Sequence, residues 1–129
     1  MEPAAVAGPR SEALPKTKRL AKRREFLHVY ESGRKLFSRF SVVFFIANGF
    51  GYSRIGITAT KKLGKATERN RLKRWIREVY RQERERLGVD QRSVDIVINL
   101  KPNASDACFR DFRQDLAKVL QRLASVPTS

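Results

Sequence analysis

Lys65-Ala66-Thr67-Glu68-Arg69-Asn70-Arg71-Leu72-Lys73-Arg74-Trp75-Ile76-Arg77-Glu78 sits between two β-branched, apolar stretches, and its own spacing is that of a helix. Wound at about 100° per residue, residues 66–87 bring Leu72, Trp75, Ile76, Val79 and Tyr80 onto one face, the pattern of a buried stripe. Arg69, Lys73, Arg77 and Arg81 recur every fourth residue along another face, flanked by Arg71 and Arg74. Like charges so placed oppose an isolated helix by about 0.2–0.5 kcal/mol per pair. Glu78, Glu83 and Glu85 offset this near the end of the helix and read as surface charges, whereas the first three turns carry only Glu68. The missing negative charge must come from outside the protein, so the helix reads as the footprint of a polyanion.

Working outward, Leu36 to Ala47 is β-branched and aromatic, which suits a strand. Both parities are apolar from Val42 onward, so the strand is either buried on two sides or shows an aromatic face to a ligand. Asn48-Gly49-Phe50-Gly51 is turn chemistry, and Ser53 to Thr60 is expected to return antiparallel, closing a hairpin. After the long helix Gly88 marks a stop, and Ser93 to Leu100 reads as another strand, closed by Pro102. Ser105 or Asp106 can cap a last helix with Phe109, Phe112, Leu116, Val119, Leu120 and Leu123 on its apolar face. Upstream, Phe26, Val29 and Tyr30 form a short helical face that Gly33 ends. The expected order is α-β-β-α-β-α, a small single-domain α+β sandwich of residues 16–125, with a strand-helix-strand crossover between parallel neighbours. Residues 1–15 are rich in Ala, Pro and Gly without periodicity and are expected to form a disordered tail.

Charge narrows the partner. The 129 residues carry 28 Lys+Arg against 13 Asp+Glu, a formal net charge of +15, which favours nucleic acid or an acidic membrane surface. The membrane is the weaker reading, because the apolar stripe of the cationic helix is needed for a core. One cysteine excludes an intramolecular disulfide, and a single histidine leaves no ligand set for zinc or an iron–sulfur cluster. Cys108 has no histidine at triad-like spacing and reads as a small buried or half-buried side chain. With no apolar run near the roughly 20 residues that span a bilayer, and no secretory leader pattern, a cytoplasmic protein is expected.

Catalytic chemistry is thin. His28 lies on the first helix without a partner for base work, and the carboxylates are scattered among cations rather than converging as a two-metal site needs. Neither the Walker spacing nor the dinucleotide fingerprint occurs among the glycines. Gly64 lets the chain turn from strand to helix. The N–H groups of that helix start, beside Lys61, Lys62, Lys65 and Arg69, suit a phosphate. Phe26, Tyr30 and Phe44 read either as core or as a platform for unpaired bases, and Trp75 reads as core.

Arg54-Ile55-Gly56-Ile57-Thr58-Ala59-Thr60-Lys61-Lys62-Leu63-Gly64, continuing through the helix to Glu78, closely resembles the signature of the bacterial ribonuclease P protein subunit. Arg69-Asn70-Arg71 matches that family's Arg-Asn-Arg motif. Leu20 to Gly33 resembles its first helix and Asp95-Ile96-Val97-Ile98 its later strand, so the likeness covers about residues 18–123. Thr60 stands where Ser is common, and Thr67-Glu68 replaces a more typical Val and a variable residue.

The resemblance implies a protein cofactor with no catalytic residue of its own. In such enzymes an RNA subunit removes the 5′ leader of precursor tRNA by metal-assisted hydrolysis. It assigns Lys61, Lys62, Arg69, Asn70, Arg71, Lys73, Arg74 and Arg77 to the RNA subunit, and Phe26, Tyr30 and Phe44 to a cleft for the single-stranded leader. The partners it implies are the catalytic RNA and precursor tRNA, with no membrane and no obligate protein partner. The protein alone binds no cofactor or metal, and Mg²⁺ is required by the RNA-containing holoenzyme. It also implies a left-handed crossover, against the general right-handed rule. A ribosomal or other structural RNA-binding protein without turnover is the alternative, and a self-sufficient nuclease comes third.

Overall fold

Among the described strands Val94–Leu100 is the most deeply buried, and its position organises the sheet. The computed structural model describes residues 16–126, the side chains of Lys16 and Asp90 excepted, so the expected N-terminal tail lies outside the described residues. Along the chain run α1 (Arg23–Ser32), β1 (Arg34–Phe37), β2 (Ser41–Ala47), β3 (Arg54–Thr58), α2 (Ala66–Leu87), β4 (Val94–Leu100) and α3 (Phe109–Ser125), with short 3₁₀ turns between some of them. The sheet order is β1-β2-β4-β3. β4 pairs antiparallel with β2 and parallel with β3, and α2 makes the crossover between the parallel pair.

Strand pairing differs from expectation in two places. The hairpin between the second and third strands does not form: β4 inserts between them, because it is the strand buried on both faces and takes an interior position. The stretch from Leu36 to Ala47 is not one strand but part of an antiparallel pair, β1 with β2, in register Phe37↔Val42. Ser38 turns that corner, its hydroxyl accepting from the Ser41 N–H at 3.1 Å, and the Asp115 carboxylate of α3 receives the N–H groups of Arg39 and Phe40 at 3.0 Å each. The observed order is therefore α-β-β-β-α-β-α, still a small α+β domain.

Alternation along the strands separates two cores. Val43, Phe45, Ile55, Ile96 and Ile98 face α2 and α3 and join Leu72, Ile76, Val79, Tyr80, Phe112, Leu116 and Leu120 in the main cluster. On the opposite face Val97 meets Val29 and Leu20, with Phe26, Tyr30, Phe44 and Ile46 half-buried around them. One face thus carries two helices and the other only the ten-residue α1.

Ends are set by local chemistry. Gly88 stops α2 in the left-handed conformation, at φ 70°, where a glycine carries no Cβ penalty. Gly33 ends α1 for another reason: a Cβ there would lie 2.4 Å from the Val29 carbonyl oxygen and 2.9 Å from that of Phe45. α3 begins later than Ser105 or Asp106, since residues 102–106 form a 3₁₀ turn in which the Ser105 hydroxyl donates to the Pro102 carbonyl; Cys108 takes the cap position. In that extended linker Cys108 is exposed rather than buried, and Phe109, the first residue of α3, is also exposed. Glu83 reverses its expectation too. It lies 7% exposed below Val79 and Tyr80, held by Arg86, which neutralises it where the helix face turns inward.

Candidate nucleic-acid interface

Cross-strand register places the sparsely covered face residue by residue. Lys35 lies opposite Phe44, Phe44 opposite Val97, and Val97 beside Gly56; one row on, Phe37, Val42, Asn99 and Thr58 align. α1 lies over part of this surface. Phe26 packs on Gly56, where a Cβ would approach its ring to 2.6 Å, and Tyr30 reaches the far strand, its hydroxyl 2.6 Å from Thr58 Oγ1. Tyr30 and Phe44 meet edge to face at 4.8 Å between centroids. The three aromatic residues singled out in the sequence are therefore brought together, each half-buried, at the border between the small core and an open shelf. Lys35 Nζ lies 5.6 Å from the Phe44 centroid, and Phe37, on the same face, is 62% exposed. Sequence reasoning did not single out these two; their alternation with Leu36 was the available signal.

The position of α1 is fixed by charge. Glu25 accepts from the N–H groups of Ala21 and Lys22 at 3.1 and 3.0 Å, closing the helix start. Its other oxygen receives Arg54 Nη1 at 2.9 Å, while Arg54 Nε and Nη2 form a two-point pair with Asp95 at 2.8 and 2.7 Å. Asn48 Nδ2 adds a bond to Asp95 at 2.8 Å. The Lys22 N–H, followed by that of Ala21 and by Arg54, outweighs burial and holds the Glu25 carboxyl below its ordinary pKa. Asp95, ahead of Glu25, raises Arg54 above its own. A helix carrying Phe26 and Tyr30 is thus bolted to the centre of the sheet.

Along α2 and the turn before it, the residues expected to meet RNA differ in exposure. Lys61, Lys62, Asn70, Arg74 and Arg77 are exposed, and Arg69, Arg71 and Lys73 half-buried. Lys73 and Arg77 line a hollow of about 120 Å³ shared with Phe26, Gly56 and Arg19. Residues expected to serve the RNA subunit and the leader therefore border one another, with Arg19 as a further cation that its place in a basic run did not distinguish. Arg71 turns to the opposite flank, its guanidinium 4.8 Å from the Trp75 centroid and its Nη2 donating to the Ser105 carbonyl at 3.2 Å. At the helix start Glu68 accepts from the Lys65 N–H at 3.3 Å, so the chain's own carboxylate occupies part of the anion site expected there. His28 is exposed, and among the described residues no group of three or more His, Cys, Asp or Glu could hold a metal ion.

Known proteins share this sequence pattern and fold. The Ribonuclease P family model matches residues 14–124. The chain belongs to the ribonuclease P protein family. The Ribonuclease P protein component of Thermotoga maritima is 39% identical over 117 residues, covering 88% of this chain and 97% of the relative; that of Syntrophus aciditrophicus is 37% identical over 109 residues, covering 84% and 89%. The solved RNase P protein of T. maritima superposes with a TM-score of 0.72 at 40% identity, over 81% of this chain and 96% of that one. The Staphylococcus aureus RNase P protein gives 0.75 at 29% identity, over 82% and 94%. As an RNase P protein the chain is a component of an endoribonuclease holoenzyme that contains RNA, and its role lies in RNA binding and tRNA processing.

Proposed function

We propose that this RNase P protein grips the catalytic RNA through Lys61, Lys62, Arg69, Asn70, Arg71, Lys73, Arg74 and Arg77, and receives the 5′ leader of precursor tRNA over Phe26, Tyr30 and Phe44. The observation that carries this reading is the shared hollow of Phe26, Arg19, Lys73 and Arg77, which joins an aromatic shelf to a cationic helix. Guanidinium groups give forked, charge-assisted bonds to phosphate, and Asn70 can donate and accept at a base edge or ribose hydroxyl. A leader of variable sequence suits stacking on aromatic rings, about 1–3 kcal/mol per base, better than a base-reading pocket.

In this reading the bond is broken in the RNA subunit, with Mg²⁺ acting there. The protein supplies positive charge that lowers repulsion between phosphates and so reduces the Mg²⁺ the assembly needs. Such an assembly works in the cytoplasm. The test is 5′ processing of a precursor tRNA at low millimolar Mg²⁺ by the cognate RNA, with the protein, without it, and with the protein alone. Strong stimulation by a protein inactive on its own is the expected result. No stimulation by a folded, RNA-binding protein would overturn the proposal and favour a structural RNA-binding role; cleavage by the protein alone would revive the nuclease.

A further inference from the structure

The second flank of α2 carries a feature that the leader cleft does not use. Trp75, only partly buried, projects toward the start of α3. There the Phe109 ring lies 5.3 Å from it at 66°, with Phe112 behind at 5.6 Å. Phe109 is 38% exposed although it begins the apolar face of α3. Between them opens a hollow of about 260 Å³ lined by Arg74, Trp75, Glu78 and Phe109. Arg71 lies against the indole and is tethered to the Ser105 carbonyl, so the ring is held in place before anything binds. Glu78 is held as well, its carboxylate receiving Arg81 at 2.6 Å and Gln82 at 3.3 Å.

We propose that this Trp75–Phe109 shelf holds one unpaired base of the RNA subunit. The inference rests on the reading of α2 as the element that grips that RNA. An aromatic wall accepts the face of any base, and an adjoining guanidinium adds a cation to the stack. The rim favours a nucleotide over an aliphatic peptide: Arg74 lines the hollow and is exposed, Arg110 follows Phe109 in the chain and is exposed too, the phosphates flanking an extruded base need such cations, and the chain as a whole carries +15. Glu78 at the edge can accept from an exocyclic amine of the base. Unpaired, splayed bases are the parts of a folded RNA open to such a pocket.

Trp75 is the only tryptophan, so its emission reports the shelf directly. The full chain is titrated with its cognate catalytic RNA while Trp75 fluorescence and affinity are followed, for the parent protein and for Phe109→Ala, Phe109→Leu and Arg69→Ala. Binding is expected to quench Trp75. Both Phe109 variants, shown by circular dichroism to be folded, are expected to bind about 5- to 100-fold more weakly, with a smaller quench at saturation. Arg69→Ala, which does not line the hollow, is expected to bind more weakly but to keep the full quench at saturation. RNA binding without a quench would overturn the shelf alone and leave the occupant to be a protein side chain. Parent-like affinity of Phe109→Leu would also overturn it, because packing rather than stacking would then be at work. Absence of any RNA binding by the parent chain would remove the assembly reading and the shelf together.

Discussion

Gly56 shows how a single missing side chain sets the cleft. A Cβ there would meet the Phe26 ring at 2.6 Å and Leu20 Cβ at 3.0 Å, so the ring rests on bare backbone. Gly56→Ala is expected to push Phe26 outward, to cost about 1–3 kcal/mol of stability, and to weaken binding of precursor tRNA more than that of mature tRNA; thermal unfolding and paired affinity measurements check it. Phe26→Ala is expected to have the same selectivity effect, with precursor affinity falling by about 1–3 kcal/mol. Equal loss for both tRNAs would count against the cleft. Two arginines of the long helix make the complementary contrast. Arg71 is engaged with Trp75 and Ser105, while Arg74 is exposed. Arg71→Ala is expected to lower both stability, by about 1–2 kcal/mol, and RNA affinity, whereas Arg74→Ala should change stability by no more than about 0.5 kcal/mol and lower affinity alone. Denaturant unfolding beside RNA titration separates the two.

At the scale of elements, α1 covers its face of the sheet alone and packs through few large side chains. Its hold on the sheet passes through Glu25, Arg54 and Asp95. The Glu25 carboxyl titrates below its ordinary value of 4.5 in the folded chain, so its contribution to stability is complete above that pH and is lost as pH falls through the lowered folded value. Glu25→Gln is therefore expected to cost about 1 kcal/mol at neutral pH, with the difference from the parent closing in acid. Unfolding curves across that range measure it. A constant difference at every pH would show that Glu25 acts through its shape rather than its charge.

For the whole molecule, the relevant quantity is the field of +15 and its concentration on α2 and the chain that enters it. RNA affinity is expected to fall steeply with salt, and if Lys61, Lys62 or Arg74 meets a phosphate as proposed, removing that exposed cation should lower the log–log slope by about 1. Removing an aromatic residue of either shelf should lower affinity and leave the slope in place, because stacking releases no counterions. Titrations at several salt concentrations distinguish the two kinds of contact.

What the amino-acid order determined alone was everything governed by short-range period and composition. The bounds of α2, the stop at Gly88, the strand character of β2, β3 and β4, and the polyanion partner all follow from spacings within a few residues. The Arg-Asn-Arg signature in its strand-to-helix context carried the family. Long-range pairing was left to the tertiary structure. β4 displaced the expected hairpin because its buried faces needed neighbours on both sides, and local turn chemistry at Asn48-Gly49 has no means of registering a strand that arrives later in the chain. The same holds for side chains whose surroundings come from distant elements. Glu83 and Arg71 are charges by type, yet they are drawn inward by what packs beside them; Phe109 and Cys108 are apolar by type, yet they are left outside by a late helix start. Periodicity reports which way a residue points along its own element, and only the assembled fold determines whether anything stands there to cover it.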